Sequence, residues 1–97
     1  MTNAPKNPPS AREIFAKNVR LVRRLRELSQ ESLAAEARVS RSHVTMIEAA
    51  EINFSIDTME QIATALGLEV RDLLDPSPDL QKLREGTEPP GPSRFGP

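Results

Sequence analysis

No cysteine occurs among the 97 residues, which excludes disulfides and thiolate-ligated metal sites. Histidine appears once, as His43, so a zinc site would need several carboxylates converging on it, and no such spacing is present. Tryptophan and tyrosine are absent and phenylalanine occurs only at 15, 54 and 95, so any core has to be aliphatic. No apolar run approaches the roughly 20 residues that cross a bilayer. Met1–Pro9 is polar, carries three prolines and lacks the apolar centre of a secretory signal. Together these absences lead to the expectation of a soluble, cytoplasmic protein without metal or cofactor, of one small domain plus tails.

Net charge is also nearly lacking. The formal value is −1, which by itself argues against a nucleic-acid binder. Its distribution is uneven, however. Residues 1–30 hold seven Lys/Arg against two Glu, residues 31–75 hold three Arg against nine acids, and residues 76–97 hold three of each. Positive charge is concentrated early, and a complex with DNA would depend on local potential, with weak non-specific affinity.

What is present is helical. The sequence predicts a flexible arm over 1–9, a folded domain over 10–75, and a Pro/Gly-rich disordered tail over 76–97, in which Leu80 and Leu83 leave room for a short helix at Asp79–Glu85. Ser10-Ala-Arg-Glu13 is a capping box. Behind it Ile14, Phe15, Val19, Leu21, Val22, Leu25 and Leu28 share about half a helical wheel, giving a first helix over about 11–27. Ser29, Ser40 and Ser55 are N-cap candidates for helices over 30–37, 41–49 and one starting at 56. The last of these carries Ile56, Met59, Ile62, Ala63 and Leu66 inward and Gly67 as its left-handed stop. A fifth short helix is expected over 70–74. Five helices and no strand define an all-α domain.

The stretch Gln30–Ala49 has the spacing of two helices crossing steeply. Ala34 is small at the crossing, Val39 is apolar in the connection, and Val44 with Ile47 forms one narrow inward stripe. At 100° per residue, Ser42, Thr45, Met46 and Ala49 lie opposite that stripe, flanked by Arg41 and His43. A short helix with one buried edge and a small, polar or methyl-bearing face suits entry into a DNA major groove.

Asn18 to Leu74 resembles the lambda-repressor/Cro-like family of XRE-type helix-turn-helix proteins. The matching text is Val19-Arg20-x-Val22-Arg23, Leu28-Ser29-Gln30-Glu31-x-Leu33-Ala34, Val39-Ser40-Arg41-Ser42, Ile47-Glu48, Ser55-Ile56-Asp57-Thr58-Met59 and Ala63-x-Ala65-Leu66-Gly67-Leu68, in order and without a gap. Asn53-Phe54-Ser55 also resembles the controller proteins of restriction–modification systems. The resemblance implies a five-helix lambda-repressor-like domain. It implies that Gln30 touches a phosphate, that Ser40, Arg41, Ser42, Thr45 and Met46 face bases or adjacent phosphates, and that His43 and Asn53 add phosphate contacts; Arg38 is a further DNA-binding candidate, as a cation able to neutralise phosphate. It also implies a structural salt bridge between Arg23 and Glu48, and dimerisation through Leu68, Val70 and Leu74, with Leu80 and Leu83 as further candidates and core closure the preferred role for Leu73. Lys17, Arg20 and Arg24 form a basic stripe that reads first as a solvated face and only second as a source, with Arg38, Arg41 and the N-terminal arm, of phosphate neutralisation. Three departures from the family pattern are present. Arg38 and Glu27 stand where glycine is usual, and Ala49-Ala50 replaces a frequent Arg-Gly, followed by Glu51.

The expected function is therefore that of a sequence-specific, double-stranded-DNA-binding transcriptional regulator, a homodimeric repressor on an inverted-repeat operator. Alternatives are a restriction–modification controller, an antitoxin-type autoregulator, or a protein-interaction adaptor without DNA binding. RNA polymerase or a partner protein engaged by the C-terminal tail are further candidate partners. Glu48 and Glu51 form the only tempting carboxylate pair, and no nucleophile accompanies them, so no enzymatic activity is expected.

Overall fold

The structure is a computed structural model that describes residues 8–86. Among these it contains α1 (Ala11–Leu25), α2 (Gln30–Ala37), α3 (Arg41–Glu48), α4 (Ile56–Ala65), α5 (Val70–Leu73) and α6 (Leu80–Glu85), and no strand. The all-α expectation holds, with a sixth helix added to the five. The first seven residues of the expected arm, and the tail from residue 87 on, lie outside the described residues.

Serine starts each of the first four helices. Ser10, Ser29, Ser40 and Ser55 are extended, and their hydroxyls accept from the amides of Glu13, Ser32, His43 and Thr58 respectively. At Ser10 the box closes, because Glu13 Oε1 accepts from the Ser10 amide at 2.8 Å. The same four helices also end alike. A residue at positive φ follows each, and the next amide reaches back to a carbonyl five residues earlier: Leu28 to Arg23, Val39 to Ala34, Glu51 to Met46, and Leu68 to Ala63, at 2.8–3.0 Å. The left-handed residues are Glu27 (φ 56°), Arg38 (φ 62°), Ala50 (φ 57°) and Gly67 (φ 69°). Only the last is glycine. At the other three a Cβ crowds the following carbonyl, at a cost of about 1–2 kcal/mol each. Glu27→Gly and Ala50→Gly are each expected to raise the unfolding free energy by about 1 kcal/mol, and together by about twice that, since they sit at different helix ends. Urea denaturation of the two single variants and the double variant measures this. No change, or a loss, would show that the bonds closing these turns need the side chains.

The core is aliphatic, as the scarcity of aromatics requires. Phe15, Val19, Val22, Leu33, Val44, Ile47, Ile62, Leu66, Leu73 and Leu83 are fully buried, with Ala34, Ala37 and Ala63 allowing close helix approach. Phe54 packs against Phe15 with ring centroids 5.3 Å apart. Three expectations need correction. Ile56 is 69% exposed. It is the first residue of α4 and sits at the edge of the stripe formed by Met59, Ile62, Ala63 and Leu66, so its side chain overshoots the core. Leu68 is only 5% exposed and belongs to the chain's own core, leaving it little surface for a second chain. The domain does not end at 75: α6 folds back on α1 and buries Leu83 to 1% exposure.

Two polar contacts secure that return. Asp79 caps α6 by accepting from the amides of Gln81 and Lys82. Lys82 Nζ lies 2.8 Å from Asp72 Oδ1, joining α6 to α5. Burial alone would push the Asp72 carboxyl up. Hydrogen bonds from Lys82 and from the Glu69 amide, with the charges of Lys82 and Arg71, outweigh it and hold the group below its ordinary value of 3.8. A carboxylate depressed in the folded state contributes stability that is present above the unfolded pKa and is lost as pH falls through the folded one. Denaturation followed from about pH 5 down to about pH 2 is therefore expected to fall less steeply for Asp72→Asn than for the wild type. Parallel curves would contradict this.

α1 organises the other helix ends. Asn18, buried at its centre, donates through Nδ2 to the carbonyls of Leu73, the last residue of α5 (3.0 Å), and of Asp75 beyond it (2.8 Å). Arg20 Nη1 donates to the Glu48 carbonyl at the end of α3, at 2.7 Å. Arg26 donates to the Leu66 carbonyl after α4 and, through Nε and Nη2, to the Leu83 carbonyl of α6. The last carbonyls of a helix lack intrahelical partners and carry partial negative charge, so cationic donors there satisfy both needs.

Candidate nucleic-acid interface

α2 and α3 meet across the turn that Arg38 and Val39 make. Gln61 Nε2 of α4 donates to the Ala37 carbonyl at 3.1 Å and ties this turn to the rest of the domain. α3 is held by Val44 and Ile47, both fully buried, with Glu48 at 4% exposure. The opposite face is open: Arg41, Ser42, Thr45, Met46 and Ala49 are exposed and His43 is half-buried, the arrangement its sequence periodicity predicts. Met46 is 37% exposed, so it does not fill the core.

Behind this face runs a continuous set of side-chain hydrogen bonds. Arg23 Nε donates to Glu48 Oε2 at 2.7 Å and Arg23 Nη2 to Glu48 Oε1 at 3.0 Å, a two-pronged pair. Arg23 Nη1 also holds the Leu28 carbonyl at 2.9 Å. Glu48 Oε1 further accepts from Gln30 Nε2 at 3.1 Å, and Gln30 Oε1 accepts from Thr45 Oγ1 at 2.9 Å. The bond to Glu48 raises the Arg23 pKa above its ordinary value, while burial works against it. Arg26, which donates to carbonyls, is instead pushed down by burial. The Glu48 carboxylate is thus hydrogen-bonded on both oxygens.

The remaining candidates divide by position. Ser40 is exposed, but its oxygen already accepts from the His43 amide, leaving its O–H to act outward. Gln30 is half-buried at the first turn of α2, beside Thr45. Arg38 and Asn53 are exposed, in the turn between α2 and α3 and in the loop between α3 and α4. Val70 and Leu74 are half-buried at α5. The early positive charge is less available than its sequence position suggests. Arg20, Arg23 and Arg26 are all engaged with the protein itself, and Arg20, read from sequence as part of a solvated or DNA-facing stripe, instead caps α3. The exposed cations of the first 41 described positions are Arg12, Lys17, Arg24, Arg38 and Arg41. No group of His, Asp and Glu among the described residues has metal-holding geometry, and no described helix is long and apolar enough to cross a membrane.

A helix-turn-helix family profile matches residues 19–73, more than half of the chain. The chain belongs to the XRE-type helix-turn-helix family. It is similar to control protein C.BamHI of Bacillus amyloliquefaciens, with 40% identity over 65 residues that cover 66% of this chain and 80% of the relative. Control protein C.SmaI of Serratia marcescens is 38% identical over 63 residues, 65% of this chain and 75% of the relative. Among solved structures, the hypothetical transcription factor NHTF from Neisseria superposes with a TM-score of 0.64 at 30% identity, covering 87% of this chain and 98% of that one. The protein is thus a DNA-binding transcriptional regulator built on this helix-turn-helix. Arg20, Arg26, Asn18 and the docking of α6 are structural features that sequence reasoning missed.

Proposed function

We propose that the protein binds an inverted-repeat operator as a homodimer, each copy placing α3 in a major groove. The observation that carries this is the division of α3 into one fully buried edge, Val44 and Ile47, and one open face bearing Arg41, Ser42, Thr45 and Met46. Arg41 suits a guanine, whose O6 and N7 accept from a guanidinium, while Met46 suits a thymine methyl. Gln30, Arg38, Ser40, His43 and Asn53, on the elements next to that face, are assigned to the flanking phosphates. An eight-residue helix reads only a few base pairs, so two copies are needed for a site of useful length, with half-sites about 34 Å apart. Val70 and Leu74 of the α5 region, with the exposed Leu80, are the dimer contacts that remain once Leu68 and Leu83 are assigned to the core.

A dimer on its operator blocks polymerase without further parts, which makes repression the primary action. The two relatives named as control proteins favour a second, compatible reading: an autoregulating controller of a restriction–modification system acting on its own promoter. Mobility-shift titration against the DNA upstream of its own gene tests both. The expected result is a specific complex of two chains per duplex that survives excess non-specific competitor. A complex of one chain per duplex would refute the dimer, and the absence of any specific complex on selected random DNA would refute operator recognition.

A further inference from the structure

Thr45 is an exposed residue of the α3 face whose hydroxyl the fold already engages. Its Oγ1 lies 2.9 Å from Gln30 Oε1 and 3.1 Å from the Arg41 carbonyl oxygen. Both are acceptors, and a hydroxyl has one proton, so either bond commits that proton to the protein. The Gln30 amide cannot turn over to release it. Its Nε2 donates to Glu48 Oε1, and the flipped amide would set a carbonyl oxygen against a carboxylate. Glu48 is itself fixed through both oxygens by Arg23. The hydroxyl is thus held against Gln30 and the preceding turn of its own helix, which leaves the methyl branch to the open face.

We infer that Thr45 selects sequence through its Cγ2 methyl, packed against the C5-methyl of a thymine, and donates no hydrogen bond to a base. Guanine O6 and N7, adenine N7 and thymine O4 all need a donor in the major groove, which Thr45 lacks here. Thymine alone among the four bases offers a methyl. Arg23, Glu48 and Gln30 are then positioning residues for that choice. The inference rests on the operator-recognition reading above.

The test replaces each thymine of a selected operator singly by deoxyuridine, which lacks only the methyl. At one position per half-site, separate from any that answers to Met46, the substitution is expected to weaken wild-type binding by about fourfold, the equivalent of one buried methyl group. Thr45→Val, which keeps the methyl and loses the hydroxyl, retains that sensitivity. Thr45→Ser, which keeps the hydroxyl and loses the methyl, binds both duplexes equally. The reverse pattern overturns the inference, as does the absence of any uracil-sensitive position, and both leave operator recognition standing. Failure to select any bound sequence overturns operator recognition and this inference with it.

Discussion

Replacing Arg23 by alanine is expected to cost about 3–5 kcal/mol of stability, the range for breaking a buried ion pair from one side. The figure for exposed pairs, about 0–1 kcal/mol, does not apply, because Glu48 is 4% and Arg23 16% exposed. Three acceptors lose the Arg23 bond at once: both oxygens of Glu48 and the Leu28 carbonyl. Gln30 is the remaining side-chain donor to the carboxylate. A domain of this size holds roughly 4–12 kcal/mol in all, so Arg23→Ala leaves it near the edge of folding. The same physics predicts that replacing both partners by apolar side chains of similar volume recovers most of the loss, since no buried charge is then orphaned. Urea denaturation of Arg23→Ala and of Arg23→Leu with Glu48→Leu separates these cases. A loss below about 1 kcal/mol in the single variant would mean that water reaches the pair as it reaches surface pairs.

Leu83→Ala is expected to cost about 2–5 kcal/mol, the range for emptying a buried leucine site. Leu80→Ala, the same chemical change three residues away at 52% exposure, should stay within about 0.5 kcal/mol. The contrast matters because composition alone places α6 in a disordered tail, where neither change would register. The contacts that make α6 part of the domain are the burial of Leu83, the Arg26 bonds to the Leu83 carbonyl and the Lys82–Asp72 pair. Equal, small effects of the two substitutions would detach α6 from the core.

Local signals in the sequence account for what was legible. A serine hydroxyl that satisfies an amide three residues on is a short-range device, and all four serine caps are where the sequence puts them. The narrow Val44/Ile47 stripe follows from helical periodicity alone, and with it the open face of α3. The departures from glycine at 27, 38 and 50 were visible as such, and each is a left-handed residue in the structure. What escaped were long-range bonds to backbone carbonyls. Arg20 reaches Glu48, Arg26 reaches Leu66 and Leu83, and Asn18 reaches Leu73 and Asp75, across 28 to 57 positions. Every residue owns a carbonyl, so the acceptor leaves no trace in the residue type, and a basic stripe on α1 reads as a solvated face or a surface for phosphates. Arg23 was recovered only because its partner is a carboxylate and the family resemblance supplied the pairing. Ile56 was misplaced because wheel position says nothing about where along the helix the core stops.

The central claim is that the open face of α3 contacts DNA, and Arg41 tests it most directly. Arg41 is exposed, starts α3 and contributes its own carbonyl, not its side chain, to the bond with Thr45. Operator affinity of Arg41→Ala, measured by mobility shift beside its urea unfolding midpoint, is expected to drop roughly ten- to hundredfold while the midpoint stays put. Unchanged affinity in the folded variant would contradict the account.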